Sequence, residues 1–421
     1  MSQASLARYA VVTGSYWSFT LTDGALRMLV VLYFHQLGYS PLQVALLFVL
    51  YELFSILTNL LGGWLGARIG LVATLVLGLS LQVVALLALT VDDAWLTVPY
   101  VMCAQALSGV AKDLSKMSAK SSVKRLVEDG DQHQLYRWVA ILTGSKNTLK
   151  GIGFFVGGAL LAVVGFRSAL LLLAALVGAV AVGAWWTLGR DPDRVSFEPK
   201  FRDLFSKSAA INRLSAARLF LFGARDIWFV VAVPVYLQTV LGWTPTAVGA
   251  LLALWVMLYG VVQGSAPWIT RSSGGGRGNG SAQPGRQLAG WGGALCAVTA
   301  VLLIAEVLVP AATPLLRGSV LVLGLLLFGA TFAVNSALHS YLVVAYAEAD
   351  SVALDVGFYY MSNAAGRLTG TLLSGGLYQL AGLPACLLGT LLFLGAASLI
   401  ARLLPPVGTP VAPSPELRLH G

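Results

Sequence analysis

Lys112, Lys116 and Lys120 recur every four residues in GVAKDLSKMSAK (109–120), with Asp113 beside the first. That interval sets three ammonium groups along one side of a helix. Lys146 and Lys150 repeat the spacing in WVAILTGSKNTLKGIGFF (138–155). Arg27, Arg218, Arg225 and Arg367 stand in other stretches that are otherwise almost wholly apolar. Basic side chains in such settings suit anion binding: Arg clamps an oxyanion with two parallel bonds, and Lys acts as a point charge. The other reading is structural, a set of ion pairs between helices. Asp23, Glu52, Asp113 and Asp226 are the candidates for proton coupling or charge pairing, with Asp355 also available. Asp23 and Arg27 are four apart and placed to pair with each other. Arg225 and Asp226 are neighbours and are expected to face different ways.

The elements that position these residues follow from composition. The chain of 421 residues is 57% hydrophobic and 11% charged, against about 25% charged in soluble domains. A soluble fold of this length could not bury so much apolar surface, so the bilayer is the solvent. Apolar runs of about 20 residues predict twelve spans, at 9–37, 41–67, 70–91, 95–120, 134–163, 167–189, 212–239, 245–270, 288–309, 315–345, 351–380 and 383–404. Turn residues separate them: Gly38 to Pro41, Asp92-Asp93, Gly242 to Pro245, and Leu383-Pro384. The first run is too long for a signal peptide and contains Asp23 and Arg27, so it reads as a retained helix.

LGYSPLQVALLFVLYELFSILTNLLGGWL (37–65) aligns without gaps to LGWTPTAVGALLALWVMLYGVVQGSAPWI (241–269), at an offset of 204. Tyr51 falls opposite Trp255. The second span thus corresponds to the eighth, which predicts an all-α integral membrane protein of two pseudo-symmetric six-helix bundles. The expected organisation is a first bundle at 1–189, a cytoplasmic basic linker at 190–212, a second bundle at 213–404 and a disordered Pro-rich tail at 405–421. RSSGGGRGNGSAQPGRQ (271–287) reads as a flexible connector, because no strand precedes it to make a phosphate loop. Most loop Lys and Arg, including Arg68, Lys124, Arg125, Arg137, Arg190 and Lys200, fall on one side, and only Arg167 and Arg317 on the other. The asymmetry puts both termini in the cytoplasm. It also accounts for most of the net charge of +9, so no nucleic-acid partner is implied.

Cys103, Cys296 and Cys386 lie in separate spans and suggest neither a disulfide nor a metal site. No HExxH, GxSxG or paired metal-ligand motif occurs in a span, so neither an enzyme nor a cofactor is expected.

Several segments resemble the major facilitator superfamily. GGWLGARIG (62–70) is similar to its loop between the second and third helices, with Ala67 at the usual acidic position. QALSGVA (105–111) is similar to its fourth-helix motif, with Gln105 where the family has Arg, and GFFVGG (153–158) to its fifth-helix motif. Four longer runs resemble the ArsJ organoarsenical efflux permeases of this superfamily: 14–43, 106–121, 138–155 and ARLFLFGARDIWFVVAVPVYL (217–237). That resemblance implies a bacterial inner-membrane exporter of 1-arseno-3-phosphoglycerate that confers arsenate resistance. Glyceraldehyde-3-phosphate dehydrogenase would be its functional partner, making the adduct from arsenate. A monomer is expected.

In the superfamily the first, fourth, seventh and tenth helices face a central cavity. The resemblance therefore implies that Arg27, Lys112, Lys116, Lys146 and Lys150 grip one end of the anion, with Arg218, Arg225 and Arg367 at the other. Lys120 is close enough to the surface to snorkel. Arg367 matches Lys150 in the other half to within one residue. Aligning Gly109 with Gly329 sets Phe332, Ser336 and Ser340 opposite the three lysines, with Asn335 and His339 nearby as uncharged donors. His339 is equally a neutral, hydrogen-bonded helix residue. Alternating access by rocking of the halves is the expected mechanism. Other readings stay open: a permease for another phosphorylated or carboxylated anion or drug by proton antiport, or a membrane sensor or scaffold.

Overall fold

The structure, a computed structural model, describes residues 3–38, 47–124, 131–189, 208–273, 284–310, 313–347 and 352–407. Most of the basic linker, most of the Gly-rich connector and nearly all of the Pro-rich tail lie outside the described residues, as does the start of the second predicted span. Among the described residues the regular structure is helical, with no strand.

The helices are α1 (Gln3–Gln36), α2 (Val49–Ile69), α3 (Leu71–Ala88), α4 (Val98–Lys124), α5 (Gln132–Val164) and α6 (Phe166–Leu188). The second half continues with α7 (Ala209–Phe229), α8 (Ala232–Thr239), α9 (Pro245–Ser273), α10 (Pro284–Leu308), α11 (Pro314–Tyr346) and α12 (Val352–Ala401). A single 3-10 turn, Asp93–Trp95, joins α3 to α4. Helices α7 and α8 make one interrupted span. Helix α12 breaks at Ala381 and Gly382, where Gly382 takes φ 68°, and so makes two. With these two adjustments each of the twelve predicted spans has a helix among the described residues.

Nine of the described helices are long and apolar enough to cross a membrane. The long helices α1 and α4 fall outside that set, and they are the helices that carry Asp23, Arg27 and the lysine row. Their polarity marks them as facing protein or a polar interior rather than lipid.

The chain forms two compact units. One comprises residues 1–205 with 347–361, the other residues 206–346 with 362–421. Within the first, α1 runs against α5, and α4 packs against α2 and α3. The approach of α1 to α5 is backbone-close: a Cβ on Gly24 would meet the Lys150 carbonyl at 2.6 Å, and one on Gly153 would strike the Leu21 carbonyl. Small residues let membrane helices close to this distance. The beginning of α12 joins the same unit, where a Cβ on Gly357 would stand 2.7 Å from the Asn59 carbonyl.

The second unit is built on an aromatic core. Trp228 meets Phe328 edge-on at 5.1 Å, Phe328 stacks on Phe332 at 5.7 Å, and Phe222 meets Phe332 at 5.1 Å. The units repeat one another in detail. A Cβ on Gly109 would lie 2.8 Å from the Tyr51 carbonyl, and one on Gly329 would lie 2.5 Å from Trp255 Nε1. Tyr51 and Trp255 are the residues that the sequence repeat pairs. Gly38 and Gly242, also paired by the repeat, both take positive φ, 86° and 69°. Only glycine adopts that conformation without strain.

Candidate functional site

In the first unit the charged residues gather around Tyr51 and Asp113. Helix α4 carries Asp113 on its buried face, where the side chain is fully enclosed. Asp113 Oδ1 receives Lys116 Nζ at 2.6 Å, while Oδ2 receives the Ser55 hydroxyl at 2.5 Å and faces Lys112 Nζ at 4.0 Å. Lys116 also donates to Asn59 Oδ1 at 2.6 Å and lies 4.3 Å from the centre of the Tyr360 ring. One carboxylate thus serves two ammonium groups, and Lys116 is the more fully engaged.

Tyr51 supports a second group. Its hydroxyl donates to Asp23 Oδ1 at 2.8 Å. Lys112 Nζ lies 4.0 Å from its ring centroid and the Arg27 guanidinium 5.0 Å. Cations are held over such a ring by its quadrupole. Arg27 reaches Glu52 at 3.4 Å, and Lys150 faces Asp23 at 3.9 Å while lying within electrostatic reach of Arg27, Lys112 and Glu52. Lys112 and Lys150 make no hydrogen bond to any described residue; Lys112 has a long ion pair and the Tyr51 ring, Lys150 a long ion pair, and each keeps its donors. Lys146 lies half-buried on α5, one turn before Lys150.

In the second unit the arginines gather on Asp226 of α7. Arg225 Nε donates to Asp226 Oδ1 at 2.6 Å, and Arg367 Nε to Oδ2 at 3.3 Å. The Asp226 side chain is 1% exposed, Arg225 17% and Arg367 34%. The expectation that Arg225 and Asp226 face apart is therefore corrected: the long arginine stem folds along the helix and bonds to its neighbour. Arg225 also lies 4.7 Å from the Phe222 ring and 5.6 Å from Phe332. Its terminal nitrogens bond to no described residue. Arg218 stacks on Phe222 at 3.8 Å and donates to Asn363 Oδ1 at 2.9 Å and to Ser336 Oγ at 3.0 Å.

Asn335 and His339 make no hydrogen bond to Asp226 or to the arginines on it. Both are buried and line a narrow crevice with Leu288, Ala397 and Ser398. Asn335 Nδ2 donates to the Leu288 carbonyl at 3.4 Å, and His339 Nδ1 pairs with the Asn335 carbonyl at 3.1 Å. Asn335 Oδ1 and His339 Nε2 have no hydrogen-bond partner among the described residues.

Two further expectations change. Lys120 does not snorkel to the surface: it is 1% exposed, donates to Thr143 Oγ1 at 2.6 Å and lies 5.3 Å from the Tyr360 ring. Arg367 does not match Lys150. Gly153 packs on the Leu21 carbonyl and Gly366 on that of Leu219, so Arg367 follows its packing glycine by one residue, whereas Lys150 precedes its own by three. The same packing pairs Arg27 with Arg225, each six residues beyond its leucine. The aromatic rings beneath the cations, Tyr51, Phe222 and Tyr360, were not singled out from sequence for this role. The spacing of Phe222 at four residues after Arg218 and three before Arg225 is the signal that could have found it.

Cys103, Cys296 and Cys386 are free thiols on three different helices. No group of three or more His, Cys, Asp and Glu able to hold a metal occurs among the described residues.

Solved transporters share this architecture. An outward-facing bacterial homologue of the iron transporter ferroportin matches with TM-score 0.70 at 14% identity, covering 94% of this chain and 98% of its own. The E. coli fucose:proton symporter FucP matches with TM-score 0.70 at 13% identity, covering 96% and 100%. The human organic anion transporter MFSD10 matches with TM-score 0.70 at 16% identity, covering 95% and 100%. At these identities the likeness speaks for the fold alone. A search of curated proteins gives no match. The sequence profile of the Major Facilitator Superfamily matches residues 12–305. With its membrane-spanning helices, two repeated units and that profile over most of its length, the chain belongs to the Major Facilitator Superfamily.

Proposed function

We propose that this secondary transporter exports an organic oxyanion, the pentavalent organoarsenical 1-arseno-3-phosphoglycerate, and so confers arsenate resistance. The observation that carries the reading is the sharing of single buried carboxylates by pairs of cations, Asp113 by Lys112 and Lys116, and Asp226 by Arg225 and Arg367. Intramembrane cations are costly, at about 2.5–3.5 kcal/mol each on insertion scales, and mark substrate pathways. Lys112, Lys150 and Arg225 keep donors that an arsenate ester or phosphate would accept. Lys116 holds Asp113, and Arg218 holds Ser336 and Asn363. Arg27 belongs to the group around Tyr51, Arg367 to that on Asp226, and Lys146 stands one helical turn before Lys150. Asn335 and His339 would then act within their bundle rather than on the ligand.

Separated thiols agree with oxyanionic rather than thiophilic arsenic. Alternating access in a bacterial inner membrane, with both termini cytoplasmic, would use the inside-negative potential, about 2.3 kcal/mol per charge per 100 mV. Asp23, Glu52, Asp113 and Asp226 are the groups that could couple a proton. Functional partnership with glyceraldehyde-3-phosphate dehydrogenase follows from the chemistry of the adduct. A second reading, another phosphorylated or carboxylated anion, fits the same cations. Growth in arsenate with and without the dehydrogenase separates the two: protection lost without the dehydrogenase supports the adduct, and full protection without it rules the adduct out.

A further inference from the structure

In each unit a Lys-Asp or Arg-Asp dipeptide sets an enclosed carboxylate beside its own neighbour, and a second cation completes the group. We propose that Asp226 is the fixed counter-ion of the empty carrier, and that it permits net efflux instead of obligatory exchange of one anion for another. The inference rests on the anion-transport reading of the same site.

An exporter that returns without cargo must change conformation with its site empty. Half-buried guanidinium groups without an anion oppose that step, because a charge taken partly out of water needs a partner. Asp226 supplies one to Arg225 and Arg367 at once, each through Nε. Helix α12 packs closely on the base of this side chain, since a Cβ on Gly370 would stand 3.0 Å from Asp226 Cβ, and the side chain is 1% exposed. Arg225 is fixed through Nε and over two rings, and its terminal nitrogens remain for cargo. An oxyanion therefore adds to the group without displacing Asp226. When cargo is bound it brings negative charge of its own, and the loaded carrier depends less on Asp226 than the empty one does. A carrier without Asp226 would move readily only when loaded in both directions.

The test uses proteoliposomes holding the full-length protein and loaded with 32P-labelled 3-phosphoglycerate. Release is measured into anion-free medium, for net efflux, and into medium with unlabelled 3-phosphoglycerate, for exchange. The wild type is expected to release label in both. Asp226→Asn removes the charge and keeps an acceptor for one of the two Nε–H groups, its amide nitrogen being a donor. It should lower net efflux by about tenfold or more while exchange falls far less. Thermal stability in detergent is measured alongside. Wild-type release that needs external anion overturns the proposal, whatever the variant does. So does equal loss of both modes in a stably folded variant, or unchanged net efflux. Absence of any release by the wild type overturns the second reading, of a carrier for other phosphorylated anions, and the proposal with it, while the arsenate adduct is tested by its own uptake.

Discussion

Arg225 Nε lies 2.6 Å from Oδ1 of the residue that follows it, Asp226. Successive helix positions point about 100° apart, so this bond exists only because the arginine stem is long enough to turn back along the surface. The guanidinium is thereby pinned at one corner with its fork unengaged by the described residues. Arg225→Lys keeps the charge but loses the fork and the flat contact with Phe222 and Phe332. Its KM for transport should rise by about tenfold or more at unchanged membrane abundance. A KM equal to wild type would show that the fork does not meet cargo.

The lysines of α4 should separate by phenotype. Lys116→Ala leaves a fully enclosed Asp113 and the Asn59 oxygen short of their donor. Breaking a buried pair costs about 3–5 kcal/mol, and the Ser55 hydroxyl that stays on Asp113 favours the lower figure. Thermal unfolding in detergent should therefore fall clearly for Lys116→Ala. Lys112→Ala or Lys150→Ala should abolish arsenate protection with nearly unchanged unfolding. The reverse order would contradict the division between holding and binding lysines.

Tyr51 combines a hydroxyl bonded to Asp23 with a ring under Lys112 and Arg27. Tyr51→Phe removes the first and keeps the second, whereas Tyr51→Leu removes both. Cation–ring contacts are worth about 0.5–2 kcal/mol, so Tyr51→Leu should weaken binding of 3-phosphoglycerate several-fold beyond Tyr51→Phe. Equal affinities in calorimetry would remove the ring from the site.

Gly109 and Gly329 test the repeat. An alanine at either would press on Tyr51 or Trp255 at 2.8 Å or 2.5 Å, and overpacking of this kind costs about 1–3 kcal/mol. Both variants should unfold at lower temperature. Gly109→Ala should also impair binding, because its neighbour carries cations and that of Gly329 does not. Impairment by both, or by neither, would break the link between Tyr51 and the site.

The twelve spans were legible because hydropathy and turn residues report the bilayer directly. The repeat was legible because LG…P and its aromatic positions recur at one offset. The contacts of the charged residues were not. Helix periodicity gives the direction of a Cβ but not the end of an arginine or lysine four bonds away, and so it missed the Arg225–Asp226 bond and the burial of Lys120. Sequence also could not foresee that Asp23 would meet Tyr51 and Lys150 on other helices, since such partners are set by packing at Gly24 and Gly153.

The most direct measurement is uptake of enzymatically generated 1-arseno-3-phosphoglycerate into everted membrane vesicles, with and without a pH gradient. Saturable uptake by the wild type is expected, lost in Lys112→Ala and in Arg225→Ala at equal protein content. No uptake above vesicles lacking the protein, or uptake that both substitutions leave intact, would contradict the binding of a polyanion by these cations.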